Sequence, residues 1–431
     1  MTAEVAVMNS QAVALAADSA ATLRPEKILS ANKLFTLSKY EPVGIMIYGN
    51  ASFMGIPWET IVKTFRRDLG TRKFDTLQEY AREFIAFLDN NEALCDTKRE
   101  QEHVREQTYR YFSYMWNIIR QRCDRTIRER GDITEAEVIR ITAVVVREHR
   151  KYWDEADFLH GLSTNYTQAV ITKYQDVIDQ AMKMAFKQRP ISARLRDSLR
   201  VIGASLFAKA PFRLGYSGVV VAGFGTKDLF PALLGFDIQG KVNRVLKFKQ
   251  RQEHDCANGP AIIPFAQDEM VCTFMEGIDP EQEEFVYANL SSFLVEYPRV
   301  ILDGIRGIDN REKKRVETAL SRLTPKLLDE WRKKMERYKL EHHVSPIVRI
   351  VGELPKDDLA DMAEALVSLT SFKRKVTPTA ETVGGAIDVA VISKGDGFIW
   401  IKRKHYFRSD LNHQFFANYF REAEDDEEQD T

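Results

Sequence analysis

Short apolar runs alternate with long amphipathic stretches along the chain, and their order predicts where strands and helices lie. The runs AEVAVM, AVALAAD, KLFTL and VGIMIYG come first, and each has the length and apolar character of a buried strand. Strand-like runs return as GVVVAGFG, PALLGFDIQG and VNRVLKFKQ, and again as VRIVGEL, GAIDVAVIS and GFIWIKRK. Because these runs follow one another as hairpins, we expect mainly antiparallel sheets.

Helical periodicity fills the stretches between the strand-like runs. PWETIVKTFRRDLG begins with Pro57 and has Gly70 past its end, a pattern typical of a helix with defined termini. Residues 96–209 stay helical and highly charged, and a capping box over Thr134–Glu137 opens one of their helices. Helical character resumes near Glu281, and DDLADMAEALVSLTSF predicts a further helix near the C-terminus.

Runs such as VALAA and VGIMI are apolar at successive positions, so both faces of these strands are expected to be covered. Two sheets in the middle with helices outside them satisfy that requirement. The sequence therefore predicts an α+β fold, a four-layer α-β-β-α sandwich with inserted helical regions.

Composition narrows the class of protein. The 431 residues exceed one ordinary core, and 44% hydrophobic with 29% charged residues is typical of soluble globular proteins. A net charge of −1 gives no basic field for nucleic acid. Four cysteines without a CxxC pair predict free thiols in a reducing compartment and no zinc site. No apolar run is long enough to span a membrane, so we expect a cytoplasmic protein without a membrane partner.

Thr2 stands directly behind Met1 at the start of MTAEVAVMNSQAVALAADSAATL. A secretory signal is one interpretation, but no basic residue precedes Arg24, and Glu4 and Asp18 interrupt the apolar stretch. The other interpretation is that Met1 is removed and Thr2 becomes the first residue. An N-terminal threonine carries a hydroxyl nucleophile and an α-amino group with a pKa of about 8, which is low enough to act as its base.

The first two predicted hairpins bring suitable side chains toward Thr2. If AEVAVM and AVALAAD pair about the three-residue turn NSQ, Thr2 lies opposite Asp18. Pairing KLFTL with VGIMIYG puts Lys33 opposite Tyr48, and if the two hairpins are neighbours in one sheet, all these residues meet at one end. Lys33 would then lower the pKa of the Thr2 amine by charge repulsion, and Asp18 would hold the lysine in place. A backbone N–H near Gly49 would serve as the oxyanion donor.

Taken in order, several segments resemble the proteasome β-subunit and HslV-type peptidase family of N-terminal-nucleophile hydrolases. They are TAEVAVM, AVALAADSAAT, ANKLFTL, VGIMIYGNAS, GVVVAGFGTKDLFPALLGFDIQG and ETVGGAIDVAVI. The resemblance implies a threonine protease that hydrolyses peptide bonds, with Thr2 as nucleophile and Asp18 and Lys33 as its catalytic partners. It implies that the oxyanion donor falls at Tyr48 or Gly49.

The resemblance also implies accessory roles at Ser19 and at Glu381, which stands where the family commonly has an aspartate. A mid-chain serine of the family falls in PFAQDEM, where Ala266 or Gln267 stands instead. These departures affect the network of groups that would support proton transfer.

The resemblance implies a core in three parts, 1–95, 210–305 and 346–415, with helical insertions at 96–209 and 306–345 and an acidic tail at 416–431. It also implies a homo-oligomeric ring or chambered assembly, a polypeptide substrate, an ATPase or another protein as a candidate partner, and no cofactor or metal. Two alternatives stay open. One is a non-catalytic scaffold subunit of the same fold, and the other is an N-terminal-nucleophile amidohydrolase that acts on a small amide.

Overall fold

The computed structural model describes residues 3–24, 27–187, 191–212, 215–305, 307, 309–377, 384–405, 407–414 and 417. The strands are β1 (Ala3–Met8), β2 (Ala12–Asp18), β3 (Ala20–Arg24), β4 (Lys27–Ser30), β5 (Leu34–Thr36), β6 (Val43–Gly49), β7 (Ser52–Phe53), β8 (Ile56–Pro57), β9 (Ser217–Gly223), β10 (Ala232–Val242), β11 (Val245–Asp255), β12 (Ala261–Ala266), β13 (Ile387–Ser393) and β14 (Gly397–Lys402). The α-helices are α1 (Trp58–Leu69), α2 (Leu77–Asn90), α3 (Thr97–Arg130), α4 (Glu135–Glu155), α5 (Thr164–Ala185), α6 (Ala193–Ala208), α7 (Glu269–Glu276), α8 (Pro280–Gly304), α9 (Asn310–Ser321), α10 (Thr324–Lys339), α11 (Ser345–Val351) and α12 (Lys356–Val376).

The chain divides into two compact units. The first combines residues 1–34 with residues 255–431, and the second consists of residues 35–254. Each unit contains one five-stranded sheet.

The sheet of the first unit has the strand order β12-β1-β2-β13-β14, and its neighbouring strands are antiparallel. The strand that begins the chain, β1, therefore lies inside the sheet, between a strand from residues 261–266 and the hairpin partner β2. Alternate residues of β1, β2 and β13 pack against α7, α11 and α12 and form an apolar cluster, as the strand period of two requires. The cluster consists of Ala3, Val5, Val7, Ala12, Ala14, Ala16, Val271, Met275, Val351, Leu359, Ala360, Ala363, Leu366, Val367, Val389 and Val391.

The turn between β1 and β2 corrects the predicted register by one residue. Asn9 and Ala12 close the hairpin with a backbone hydrogen bond of 3.0 Å, and Glu4 lies opposite Ala17. The side chain of Asn9 accepts hydrogen bonds from the N–H groups of Gln11 and Ala12, so this asparagine stabilises a turn shorter than the predicted one. Because a shift of one residue exchanges the two faces of a strand, Asp18 shares its face with Ala3 and Val5.

The sheet of the second unit has the strand order β11-β10-β9-β6-β5. Helices α1 and α2 cover one side, where Trp58, Phe65 and Phe84 are buried against strand residues such as Ile47 and Val219. The helices α3 to α6 bury their apolar faces against one another around a second cluster. Among the described residues, no helix combines the length and the apolar character needed to cross a membrane.

Most of the predicted elements are confirmed, including the α+β class and the antiparallel sheets. Helix α1 ends before Gly70, and the capping box at Thr134 and Glu137 forms. VRIVGEL is wrong as a strand, because its first part belongs to α11, which packs on the sheet through Val351. The assumption that the first two hairpins share one sheet is also wrong, since β1 and β2 lie in the first unit and β6 in the second. The four-layer arrangement stays a prediction.

Candidate functional site

The carboxylate of Asp18 ends β2 and is almost fully buried, with 1% of the residue exposed. Its Oδ1 atom accepts a hydrogen bond of 3.0 Å from the backbone N–H of Ala3, which belongs to the peptide bond that follows Thr2. Its Oδ2 atom accepts hydrogen bonds from the N–H groups of Ala20, at 3.2 Å, and Gly384, at 2.9 Å. Three backbone segments therefore fix the orientation of this side chain.

Lys33 completes the coordination of Asp18. Its Nζ atom lies 2.6 Å from the same Oδ1 atom that binds Ala3, and both side chains of this ion pair are buried. Lys33 follows β4 and precedes β5, so the chain returns to β2 at this point. Because one oxygen binds both groups, the ammonium can be no farther from the Ala3 amide than the sum of the two hydrogen bonds. The geometry therefore fixes a positive charge close to the start of the described chain.

Gly384 and Gly385 lie against the end of β2, and each of the two positions has its own structural role. Gly384 donates its N–H to Asp18. Gly385 has a φ of +82°, and a Cβ atom at this position would come within 2.5 Å of the Ser19 hydroxyl oxygen. A side chain there would be strained and would displace Ser19, which is buried.

Glu4 is a second buried carboxyl group of this site, with 2% of the residue exposed. Neither of its carboxyl oxygens has a hydrogen-bond partner among the described residues. Burial raises the pKa of Glu4 well above its usual range, the charge of Lys33 opposes that rise, and the charge of Asp18 adds to it. Glu4 is thus close enough to the ion pair to interact with it electrostatically.

Asp388 lies on the same face of the sheet as Glu4, because both residues are opposite Ala17 on its two neighbouring strands. It is buried and accepts a hydrogen bond of 2.7 Å from the backbone N–H of Lys404. Burial raises the pKa of Asp388, and the hydrogen bond from Lys404 opposes the shift. The ammonium of Lys404 donates to the carbonyl of Ala31, at 2.9 Å, and so joins the segment that carries Lys33 to the C-terminal part of the chain.

The other predicted residues fall in several places. Thr2 and Glu381 lie outside the described residues. Ala266 lies opposite Ala3 at the end of β12 and has a φ of +65°, which is unusual for a residue other than glycine. Gln267 follows it and is buried. The position of the family's mid-chain serine is therefore adjacent to the first strand, although this chain has no hydroxyl there.

Tyr48 and Gly49 end β6 in the second unit. The ring of Tyr48 packs directly on Gly218, where a Cβ atom would lie within 1.9 Å of it. Gly49 has a φ of +81°, and a Cβ atom there would come within 2.7 Å of the Tyr216 carbonyl oxygen. Both positions therefore have a structural reason for their residue type, and the oxyanion role of Tyr48 and Gly49 stays a prediction.

The described part of the site contains an ammonium, the carboxylate bound to it, two further carboxyl groups and a set of backbone N–H donors. Such groups can control the protonation of a neighbouring titratable group. Among the described residues, no group of three or more histidine, cysteine, aspartate or glutamate side chains is arranged to hold a metal ion.

Three features of the site were missed by the sequence analysis. Glu4 had been noted only as a charge that interrupts an apolar run, although its position in a strand of buried residues was a signal for a buried acid. The N–H groups of Ala3 and Ala20 carry no sequence signal, because any residue except proline supplies one. Gly384 belongs to a recognised pair, but its bond to Asp18 spans 366 residues and is invisible in the local pattern.

No protein-family model matches the chain, and no curated protein matches it. Solved structures of Anbu (ancestral beta-subunit) are similar to it. Anbu from Yersinia bercovieri has 10% identity and a TM-score of 0.28, covering 97% of this chain and 96% of that one. The helical assembly of the Anbu complex from Pseudomonas aeruginosa has 10% identity and a TM-score of 0.27, covering 98% and 95%. Anbu from Hyphomicrobium sp. strain MC1 has 9% identity and a TM-score of 0.28, covering 98% and 94%.

These solved structures correct the family assignment drawn from the sequence. The assignment to the proteasome β-subunit and HslV group is wrong, because the matching solved structures carry the name Anbu, a distinct group. At this identity and TM-score the similarity says nothing about individual residues. The roles of Asp18, Lys33 and their neighbours therefore rest on the geometry of this chain alone.

Proposed function

We propose that the chain is an N-terminal threonine hydrolase that cleaves peptide bonds, with Thr2 exposed as nucleophile after removal of Met1. The observation that carries the proposal is the buried ion pair of Lys33 and Asp18, whose shared oxygen also binds the amide that follows Thr2. A buried ammonium held this close to the chain start would disfavour protonation of the Thr2 amine and increase its free-base fraction. Thr2 would then carry its own general base.

The proposed reaction proceeds in two steps. The α-amino group takes the proton of the Thr2 hydroxyl while the hydroxyl oxygen attacks the substrate carbonyl. The same proton then passes to the leaving amine as the peptide bond breaks. Water hydrolyses the resulting ester with the amine again as base, which releases the acid and restores Thr2. Lys33 tunes the amine, Asp18 orients Lys33, and Ser19 is proposed as an accessory group.

Self-association into a homo-oligomer is part of the proposal. The apolar faces of α3 to α6 do not require a second subunit, because they pack against one another. Helix α8 supports self-association better, since Pro298 and Leu302 are its buried residues and many of its large apolar side chains are exposed. Those exposed side chains are Phe285, Val286, Phe293, Val295, Tyr297, Val300 and Ile301.

Two measurements on purified protein test the proposal. Intact-mass analysis should show a chain without Met1, and an electrophilic probe should label the N-terminal peptide of wild type but not of Thr2→Ala. Retention of Met1 in all of the protein would exclude the enzyme and favour the scaffold alternative. Labelling of Thr2 together with hydrolysis of small amides, but not of peptides, would favour the amidohydrolase.

Sedimentation separates the assembly from the chemistry. Phe285→Ser combined with Phe293→Ser should reduce the sedimentation coefficient if α8 joins two copies, because both side chains are exposed. A matched change on an exposed polar residue of the same helix, Glu284→Ser, should leave it unchanged. A wild-type protein that sediments as a monomer would contradict self-association.

A further inference from the structure

Glu4 is a buried acid of the site that has no hydrogen-bond partner among the described residues and no use in the proposed mechanism. It lies in β1, two residues after the proposed nucleophile, and all described residues of that strand are buried. A buried ionised carboxylate without hydrogen bonds is strongly disfavoured, so such groups either bind a cation or keep their proton. Both oxygens of Glu4 lack partners among the described residues. Its presence therefore calls for a chemical explanation.

The neighbours of Glu4 can be named strand by strand. On β2 the charged neighbour is Asp18, whose charge acts on Glu4, and Asp388 lies on the same face as Glu4, one strand beyond β2. Lys33 reaches the site from the segment before β5 and is the positive charge that acts on Glu4. The opposite neighbour, β12, contains no titratable side chain, because its sequence is AIIPFA. Glu4 is thus the second carboxyl group to interact with a lysine that Asp18 already binds.

Ionisation of Glu4 would change the balance of charge around that lysine. With Glu4 neutral, Lys33 and Asp18 form a pair without net charge, and no further negative charge acts on the proposed amine. An ionised Glu4 would add a negative charge, which competes with Asp18 for Lys33 and favours the protonated form of any amine nearby. A protonated amine cannot accept the hydroxyl proton of threonine.

We propose, on the basis of the proposed function, that Glu4 is a positioning residue that is neutral in the resting protein and whose ionisation suppresses activation of the nucleophile. The step is a simple acid dissociation: the carboxyl O–H bond breaks, the proton passes to solvent, and the electron pair stays on the carboxylate. Burial raises the pKa of Glu4, so the dissociation falls at a higher pH than for an exposed glutamate. The proposal places the suppression in the pH range where Glu4 is ionised and the amine is still partly protonated.

The first test is the pH profile of probe labelling in wild type and Glu4→Gln, which resembles the neutral acid in shape. The two rates should agree in acidic buffer, where Glu4 is neutral. They should separate where Glu4 is ionised while the amine is still largely protonated, with the variant about tenfold faster there, since a neighbouring charge typically shifts a pKa by about one unit. They should converge again in alkaline buffer, where the amine is free base in both proteins. Glu353→Gln, an exposed glutamate of the same unit, should follow the wild-type profile. Parallel profiles for wild type and Glu4→Gln would overturn the proposal.

The second test does not depend on activity. A glutamate whose folded pKa is raised stabilises the fold below its unfolded pKa of about 4.3 and loses that contribution as the pH rises through the folded value. The melting temperature of wild type should therefore fall relative to Glu4→Gln between mildly acidic and alkaline buffer. Equal differences at all pH values would show that Glu4 is not neutral at rest.

Failure of the function and failure of this inference give different results. Absence of labelling in both proteins would overturn the proposed function, and with it the suppressing role, while the melting curves would still test the neutral state of Glu4. Labelling with matching pH profiles would overturn the role of Glu4 alone. Should Glu4→Gln not fold, Glu4→Leu replaces it, because an apolar side chain of similar size suits the same buried position.

Discussion

Replacing Asp18 by asparagine should loosen the site in a way that the hydrogen bonds of this residue specify. The asparagine oxygen can take over the Oδ1 contacts with Ala3 and Lys33, but its NH2 group then faces the N–H groups of Ala20 and Gly384. Each buried donor left without an acceptor costs about 1–3 kcal/mol, which gives about 4 kcal/mol for the two. Such a cost corresponds to a roughly thousandfold increase in the local opening equilibrium.

Hydrogen–deuterium exchange followed by mass spectrometry measures this effect at the residues concerned. Peptides that contain Ala20 and Gly384 should exchange far faster in Asp18→Asn than in wild type, while peptides from α1 in the second unit should be unchanged. Asp388→Asn is the matched control, because Asp388 is also buried but binds the backbone N–H of Lys404 instead of those of Ala20 and Gly384. Exchange in Asp18→Asn within about threefold of wild type would refute the reasoning, since that ratio corresponds to well under 1 kcal/mol.

Three further predictions concern other residues. Lys33→Met and Lys33→Arg should each lower probe labelling of Thr2 about a hundredfold or more. Methionine removes the charge, and the larger guanidinium does not fit the 2.6 Å pair with Asp18. Labelling at the wild-type rate would exclude the mechanism. Gly385→Ala should destabilise the first unit by about 1–3 kcal/mol in urea unfolding, because of its φ of +82°, whereas Gly395→Ala, with open space around it, should not. Burial lowers the pKa of Lys247 to about 7. Wild type should therefore lose stability relative to Lys247→Met as the pH falls from about 10 to about 7, by up to about 4 kcal/mol. A difference in stability that does not change with pH would contradict this.

The pairing of Asp18 with Lys33 was predictable from residue types, but not from the strand geometry first used to derive it. The predicted register was off by one residue, and the two hairpins lie in different sheets. The ion pair forms nevertheless, because Lys33 precedes β5 and its long side chain reaches the end of β2. Complementary charge in a buried place is a stronger constraint than a register inferred from turn length.

The elements that the sequence analysis missed share a physical cause, namely that tertiary contacts overrule local preference. Strand β12 contains Pro264, which argues against a strand in isolation, yet β12 is an edge strand where proline is tolerated. The segment VRIVGEL has β-branched residues typical of a strand, but Val351 is buried from a helix in the apolar cluster of the first sheet. The apolar run around Glu4 signalled its burial, but the site that surrounds it could not be predicted, because that site depends on strands from distant parts of the chain.

The interior position of β1 has a consequence for the order of events during synthesis. β1 is made before its neighbour β12, which follows some 260 residues later, and Gly384, which binds Asp18, is made later still. Long-range contacts of this kind form late, because the intervening chain must first be available and close the loop. β1 therefore lacks both neighbours while the intervening chain is made, and enzymes on the ribosome can reach it during that time. The buried surroundings of Asp18 are completed only after Gly384 has been made, so the site cannot assemble on a shorter nascent chain.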